Sequence, residues 1–179
     1  MSANSINDLT LVHDNMIAAV KAAMPIMKNV AAYDPIGDRK KLVLPAVLVE
    51  VGEMSPGGKN TGGRTPVTIQ FAFHCMLSAE VENVQLEVRN FAARILQLVD
   101  GNRWELGRAA ERPEDLKAFP GEFDPGNKGF ESWVVCFEQV FHMGEMKLPP
   151  DDTPKEAFYS EAPKIGLAHK DDYIQIPDS

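Results

Sequence analysis

Gly57-Gly58-Lys59-Asn60-Thr61 combines a flexible backbone with an amine, the pairing that phosphate-binding loops use. Such a loop also needs an earlier glycine and a hydroxyl directly after the lysine. Glu53 and Asn60 occupy those places here. The segment leads into an extended stretch, so no helix N-terminus follows to hold a phosphate. It reads as a mobile hairpin tip or, in a functional version, as a loop that becomes ordered against a neighbour, with Lys59 and Arg64 as charged contacts beside Gly58. Metal chemistry finds no better footing. His13, His74, His142 and His169 are scattered. His74 and Cys75 are consecutive on an extended segment and point to opposite faces, while Cys136 and His142 share a face too far apart for one ion. There is no Gly-x-Ser-x-Gly elbow, and neither Cys75 nor Cys136 has an electropositive setting that would activate a thiol. Asp151-Asp152 and Asp171-Asp172 read as solvated charge. No catalytic, cofactor-binding or metal-ligating residue is expected, and no cofactor.

The elements around these residues are clearer than the chemistry. Val67, Ile69, Phe71, Phe73, Cys75 and Leu77 alternate with Thr68, Gln70, Ala72, His74 and Met76, the period of a half-buried strand. Val84, Val88, Phe91, Ile95 and Leu98 or Val99 then recur at helical spacing, so a helix is expected over 80–100, closed at Gly101. A first helix begins at a cap from Ser5 or Asn7, carries Leu9, Val12, Met16, Val20 and Ala23, and stops near Met24 because Pro25 cannot continue it. Tyr33–Gly37 reads as a turn and Leu42–Met54 as a strand with Pro45 as an entry kink. The loop from Ser55 to Thr65 joins that strand to Val67–Leu77 as an antiparallel hairpin. Trp104–Ala110 is expected to be a strand, Phe119–Gly129 a loop, and Ser132–Met143 the last core strand, with Trp133, Val135, Phe137, Gln139 and Phe141 on one face. The fold class is α+β: a mixed, mostly antiparallel sheet, two main helices packed on it, and an extended C-terminal arm.

A chain of 179 residues suits one domain with an appendage, here 1–145 followed by a Pro-rich arm over 146–179. The arm has no helical or strand period, yet Phe158, Tyr159, Ile165, Leu167, Tyr173, Ile174 and Ile176 are apolar anchors, as in a segment that folds on binding. A net charge of −8 argues against a protein that coats nucleic acid. Both cysteines lie in apolar strand patterns and read as buried free thiols of a reducing cytosol. No stretch has the apolar length of a membrane span, and the first residues carry no export signal.

Strands such as Val47–Val51 and Trp133–Phe141 are apolar on both faces and ask for cover on both. If both helices pack on one face, part of the other, or an edge, needs other cover. A partner subunit supplies it by strand addition or by donating its tail, or the tail folds back on its own domain. Identical subunits meeting head to tail close into rings when the rotation between them allows it.

The succession of elements resembles the tail terminator (tail completion) proteins of long-tailed bacteriophages, closest to the branch of Mu-like contractile-tailed phages and prophages. The residues that carry the likeness are Pro45-Ala-Val-Leu-Val-Glu-Val-Gly52 after a helix, the Gly-rich loop, and Val67–Leu77 running into the second helix. They continue with Trp133–Phe141, Gly144-Glu145, Phe158-Tyr-Ser-Glu-Ala-Pro-Lys-Ile-Gly166 and His169-Lys-Asp-Asp-Tyr173. The resemblance implies a non-enzymatic subunit of a hexameric ring. The ring caps the tail tube, ends tube and sheath polymerisation, and offers a surface for head–neck joining. Its implied partners are tube protein, sheath protein and a neck or head-completion protein, with DNA passing through the lumen unbound and no membrane contact. It implies a place in the virion tail, assembled in the host cytoplasm. The expected interface residues are Gly58, Lys59, Arg64, Phe158, Tyr159, Ile165 and Tyr173. A neck connector with the same ring logic, and a small-ligand enzyme with a site under the Gly-rich loop, are the alternatives.

Overall fold

Asp8 starts the first helix, α1 (Leu9–Ala23), through a hydrogen bond from the Thr10 amide to its carboxylate at 2.9 Å. Ser5 and Asn7 do not cap it. The Gly144 amide donates to the Ile6 carbonyl at 2.8 Å, which holds Ile6 extended and delays the first turn. A carboxylate at the cap also suits the positive end of the helix dipole. Val12, Met16 and Val20 are buried, and the helix ends at Met24, ahead of Pro25, as the sequence predicts. The computed structural model describes residues 5–38, 41–59, 62–124, 129–145 and 158–175. Its contacts divide the chain into two compact units, Met1–Lys147 and Leu148–Ser179, each described by itself.

In the first unit, β1 (Asn29–Ala32) runs parallel to β2 (Ala46–Pro56). The sequence offers no sign of β1, because four residues are too few to carry a period. The expected turn follows it, with the Ile36 and Gly37 amides both bonded to Asp34. β2 starts one residue after Pro45, later than expected. Leu42 and Leu44 stay outside the ladder and pack on a small cluster of Ala46, Leu48, Met76 and Phe130. β2 and β3 (Thr65–Ser78) form the expected antiparallel pair. α2 (Val84–Val99) is followed by Gly101 at a φ of +69°, the left-handed geometry that glycine adopts without strain.

Two readings change at this point. Trp104–Ala110 is not a strand but a loop closed by a 3-10 turn at Gly107–Ala109. The Trp104 indole turns into the core, where its Nε1 donates to Gln139 Oε1 at 2.7 Å, and this inward anchor mimics a strand pattern. The segment expected to be a loop from Phe119 largely belongs to β4 (Glu114–Asp124). Pro120 is tolerated because β4 pairs on one side only, with β5 (Phe130–Met143), and its register shifts on either side of that stretch. Gly121 is required there: a Cβ would stand 2.5 Å from Ser132 Oγ.

The sheet order is β1-β2-β3-β5-β4, mixed but mostly antiparallel, and α1 and α2 pack on it. The main core joins Val47, Val49, Ile69, Phe71, Phe73, Val135 and Phe137 to the apolar faces of both helices. Phe71 stacks on Phe137 at 5.3 Å between centroids, and Phe73 meets it edge-on at 5.5 Å. Aromatic contacts of this kind add to burial through the ring quadrupoles. Gln139 sits on this same face, fully buried. Its amide donates to the Asn102 and Glu111 carbonyls at 3.0 and 2.7 Å, so the loop after α2 is pinned to β5.

In the second unit, β6 (Phe158–Tyr159) pairs with β7 (Ile174–Gln175), and a 3-10 turn spans Leu167–Asp172. Strands of two residues leave no period to read in the sequence.

Candidate interaction surface

The residues between the core positions define the sheet's other face, away from α1 and α2 and free of helix among the described residues of the first unit. One end holds the small cluster around Leu48 and Met76, covered by Leu42 and Leu44. The middle is polar. Register sets Leu48 opposite His74 and Glu50 opposite Ala72, so Glu50 and His74 are diagonal neighbours, and their side chains meet at 2.7 Å. Tyr33 stacks on the His74 ring at 4.4 Å. Gln70 donates to Glu138 at 2.8 Å across β3 and β5. Glu50, Gln70 and Glu138, with Lys117, Phe119 and Cys136, line a shallow hollow of about 320 Å³. Burial pushes the Cys136 thiol up; the Lys117 charge opposes the shift and the Glu50 charge adds to it.

The two edges of the sheet differ. β4 is interrupted by register shifts, and Asp115 there has a φ of +50°. Charged residues line it, which is how edges resist strand addition. β2 outlasts β1: the last ladder pair is Ala32 with Val49, and Gly52–Pro56 are exposed. Beside that free edge runs a groove of about 520 Å³ bordered by Leu9, Thr10, His13, Tyr33, Glu50 and Val51.

The expected contact residues fall in two groups. Gly58 and Lys59 are exposed in the β2–β3 connection, Gly58 with a φ of +61°. Arg64, from the same connection, is buried, only 4 % exposed. In the second unit Phe158, Tyr159 and Ile165 are about half exposed, at 51 %, 49 % and 56 %. Tyr173 turns its hydroxyl inward to accept from the Gly166 amide at 3.0 Å. Register brings Phe158 opposite Gln175 and Tyr159 opposite Ile174.

The Tyr33–Glu50–His74 arrangement escaped the sequence reading. Its only signal was a carboxylate and a histidine at outward positions of neighbouring strands, and the register that joins them is a tertiary fact. Among the described residues no three of His, Cys, Asp and Glu converge as metal ligands. None of the described helices is long and apolar enough to cross a membrane. No model of a known protein family matches the chain, and no curated protein matches it.

Proposed function

We propose that the chain is a ring-forming tail terminator of a contractile-tailed phage or prophage. One observation carries the reading: both helices lie on one side of the sheet, leaving a helix-free face with a polar, half-buried centre beside a free strand edge. A surface of this kind presents shape and hydrogen-bonding groups to another protein, and a free edge accepts a further strand. Copies meeting head to tail through two different patches close into a ring when the rotation between neighbours divides a full turn. The ring, a hexamer by resemblance, caps the tube, ends its growth and that of the sheath, and presents a joining surface to the neck protein. The net charge of −8 suits a lumen through which DNA slides without sticking. In this reading the β2–β3 connection and residues 146–179 make contacts between subunits or with the tube, and the activity involves no bond breaking.

The test is tube capping. Purified tube protein polymerised with the chain present gives shorter tubes with extra density at one end in electron micrographs. Tubes of unchanged length and bare ends refute the reading. Capture of a portal-side protein in place of tube protein moves the chain to the other side of the joint. Removal of 146–179 impairs capping more than it impairs folding of the remainder; undiminished capping by the truncated chain removes that role from the arm.

A further inference from the structure

β1 leaves the side of β2 before β2 ends. The Lys28 and Asn29 amides donate to the Pro45 carbonyl at 3.2 and 3.3 Å, and the Tyr33 amide donates to the Val49 carbonyl at 2.8 Å. Backbone groups of successive residues alternate between the two sides of a strand, so the amide and carbonyl of Val51 face the same way. They lie past the last β1 pair, Ala32 with Val49, where the chain has already entered the turn around Asp34. Beside Val51 runs the groove of about 520 Å³, between α1 and the sheet edge. It is reached from solvent: Thr10 and Pro35 on its border are exposed, and the Glu50 side chain is 39 % exposed.

A strand laid along this edge sends alternate side chains to opposite faces. On one face stand Val49 and Val51, which join the helix-covered core, with Leu9 of α1 packed on the same core. On the other stands Glu50, beside His74. Charge narrows the occupant further. Glu50 lines the groove, Glu53 lies on the exposed continuation of the edge, and Asp14 adjoins His13. Among the described residues no lysine or arginine lines it. Lys21 and Lys28 belong to the last turn of α1 and the start of β1, at the opposite end. We propose that this edge accepts a cationic extended segment of a partner protein, in which Lys or Arg alternates with an apolar residue. Pairing with the β2 backbone gives the hold, the apolar residues enter beside Leu9 and Val51, and the cations meet Glu50 and Glu53. The chain's own arm suits the edge poorly, since residues 148–179 hold seven acidic and three basic residues. A second copy's β4 suits it poorly too, because register shifts interrupt that strand. The proposal rests on the partner-binding edge contained in the reading above, and not on tube capping.

Amide NMR spectra of the full chain, titrated with an acetylated and amidated octapeptide of alternating lysine and valine, test it. Three companion peptides replace every lysine by glutamate, replace every valine by serine, or carry N-methyl groups on the two central residues. The lysine–valine peptide shifts the Val51 and Gly52 amides saturably, and each companion binds about tenfold or more weakly. Thr10→Trp, which fills the groove from an exposed position of α1, abolishes the shifts. Glu50→Gln combined with Glu53→Gln weakens binding by about tenfold. Should Thr10→Trp fail to fold, the double variant and the four peptides on the wild type decide the question. Equal binding by the glutamate or the N-methylated peptide overturns the proposal, as does undiminished binding by Thr10→Trp. A peptide of residues 148–179 that shifts the same amides more strongly assigns the edge to the chain's own arm and overturns it. Shifts of these amides with protein concentration alone assign the edge to a second copy, with the same result. Tube capping by a chain that binds none of the peptides leaves the proposed function standing without this site. Peptide binding by a chain that caps no tube leaves the site standing without that function.

Discussion

Phe137 and Glu138 are consecutive on β5, yet they belong to different environments. Phe137 is 2 % exposed, among Phe71, Phe73 and Trp104; Glu138 reaches the half-open face and accepts a hydrogen bond from Gln70. The same alternation separates Phe73 from His74 and Val49 from Glu50. The helix-covered face fixes the fold by excluding water. The helix-free face keeps groups that gain from a polar partner. A sheet built this way divides labour between stability and contact residue by residue.

Neighbouring substitutions test that division most strongly. Phe137→Ala should destabilise the chain by about 3–5 kcal/mol, the range for emptying an aromatic site in a core. Glu138→Ala should change stability by no more than about 0.5 kcal/mol, as for surface positions without a special role. Urea unfolding of both variants measures the gap. Equal losses would mean that the helix-free face is as structural as the covered one.

Gln139 sharpens the comparison, because it is a polar residue on the covered face. Gln139→Leu leaves the Trp104 indole N–H and the Asn102 and Glu111 carbonyls without their partner. A loss of about 3 kcal/mol in the same measurement is expected, since buried groups left unpaired carry their desolvation penalty. Gln70→Leu, on the exposed face, should cost less than about 0.5 kcal/mol. If the two glutamines behave alike, satisfied burial is not what distinguishes the faces.

The contrast explains which parts of the molecule were legible in the sequence. β3 and β5 could be read because each has one dry face, which imposes strict alternation over many residues. α1 and α2 were legible through the same one-sidedness at helical spacing. β1 was not, since four residues at an edge show no period. β4 was hidden by Pro120 and Gly121, which read as loop in sequence but are tolerated where pairing is one-sided and interrupted. The Trp104 loop misled in the opposite sense: Trp104, Leu106, Ala109 and Ala110 are buried as loop anchors, with no strand between them. The candidate surface was legible only as a need for cover. Glu50 with His74 acquires meaning from register, which depends on which strands become neighbours.

A smaller effect lies in the polar centre itself. Glu50 and His74 meet at 2.7 Å with side chains 39 % and 20 % exposed. Water screens such a pair, so Glu50→Gln should lower stability by less than about 1 kcal/mol in thermal or urea unfolding. The pair then belongs to recognition more than to stability. A loss of several kcal/mol would instead make it a structural element of the sheet.

The two cysteines report on the two faces without disturbing either. Cys75 is fully buried on the covered face, and Cys136 is part-buried on the other. Burial pushes both thiols up. The thiolate is the reactive form, so alkylation of each is slow at neutral pH and quickens as pH rises. Access then separates them: in the folded chain Cys136 should label about tenfold or more faster than Cys75, and denaturant should remove the difference. Linkage gives a second handle on Cys75. Its unfolded thiol ionises near 9.0 while the folded one keeps its proton to higher pH. Above 9.0 the unfolded state binds fewer protons, so stability falls as pH rises, and Cys75→Ala should flatten that fall. Assembly supplies the decisive comparison. If copies or a tube cover the helix-free face, Cys136 labelling slows in the assembled state while Cys75 is unchanged. Cys136 labelling at the same rate in isolated and assembled chains would place the contact elsewhere, and the helix-free face would lose its claim to be the surface that partners read.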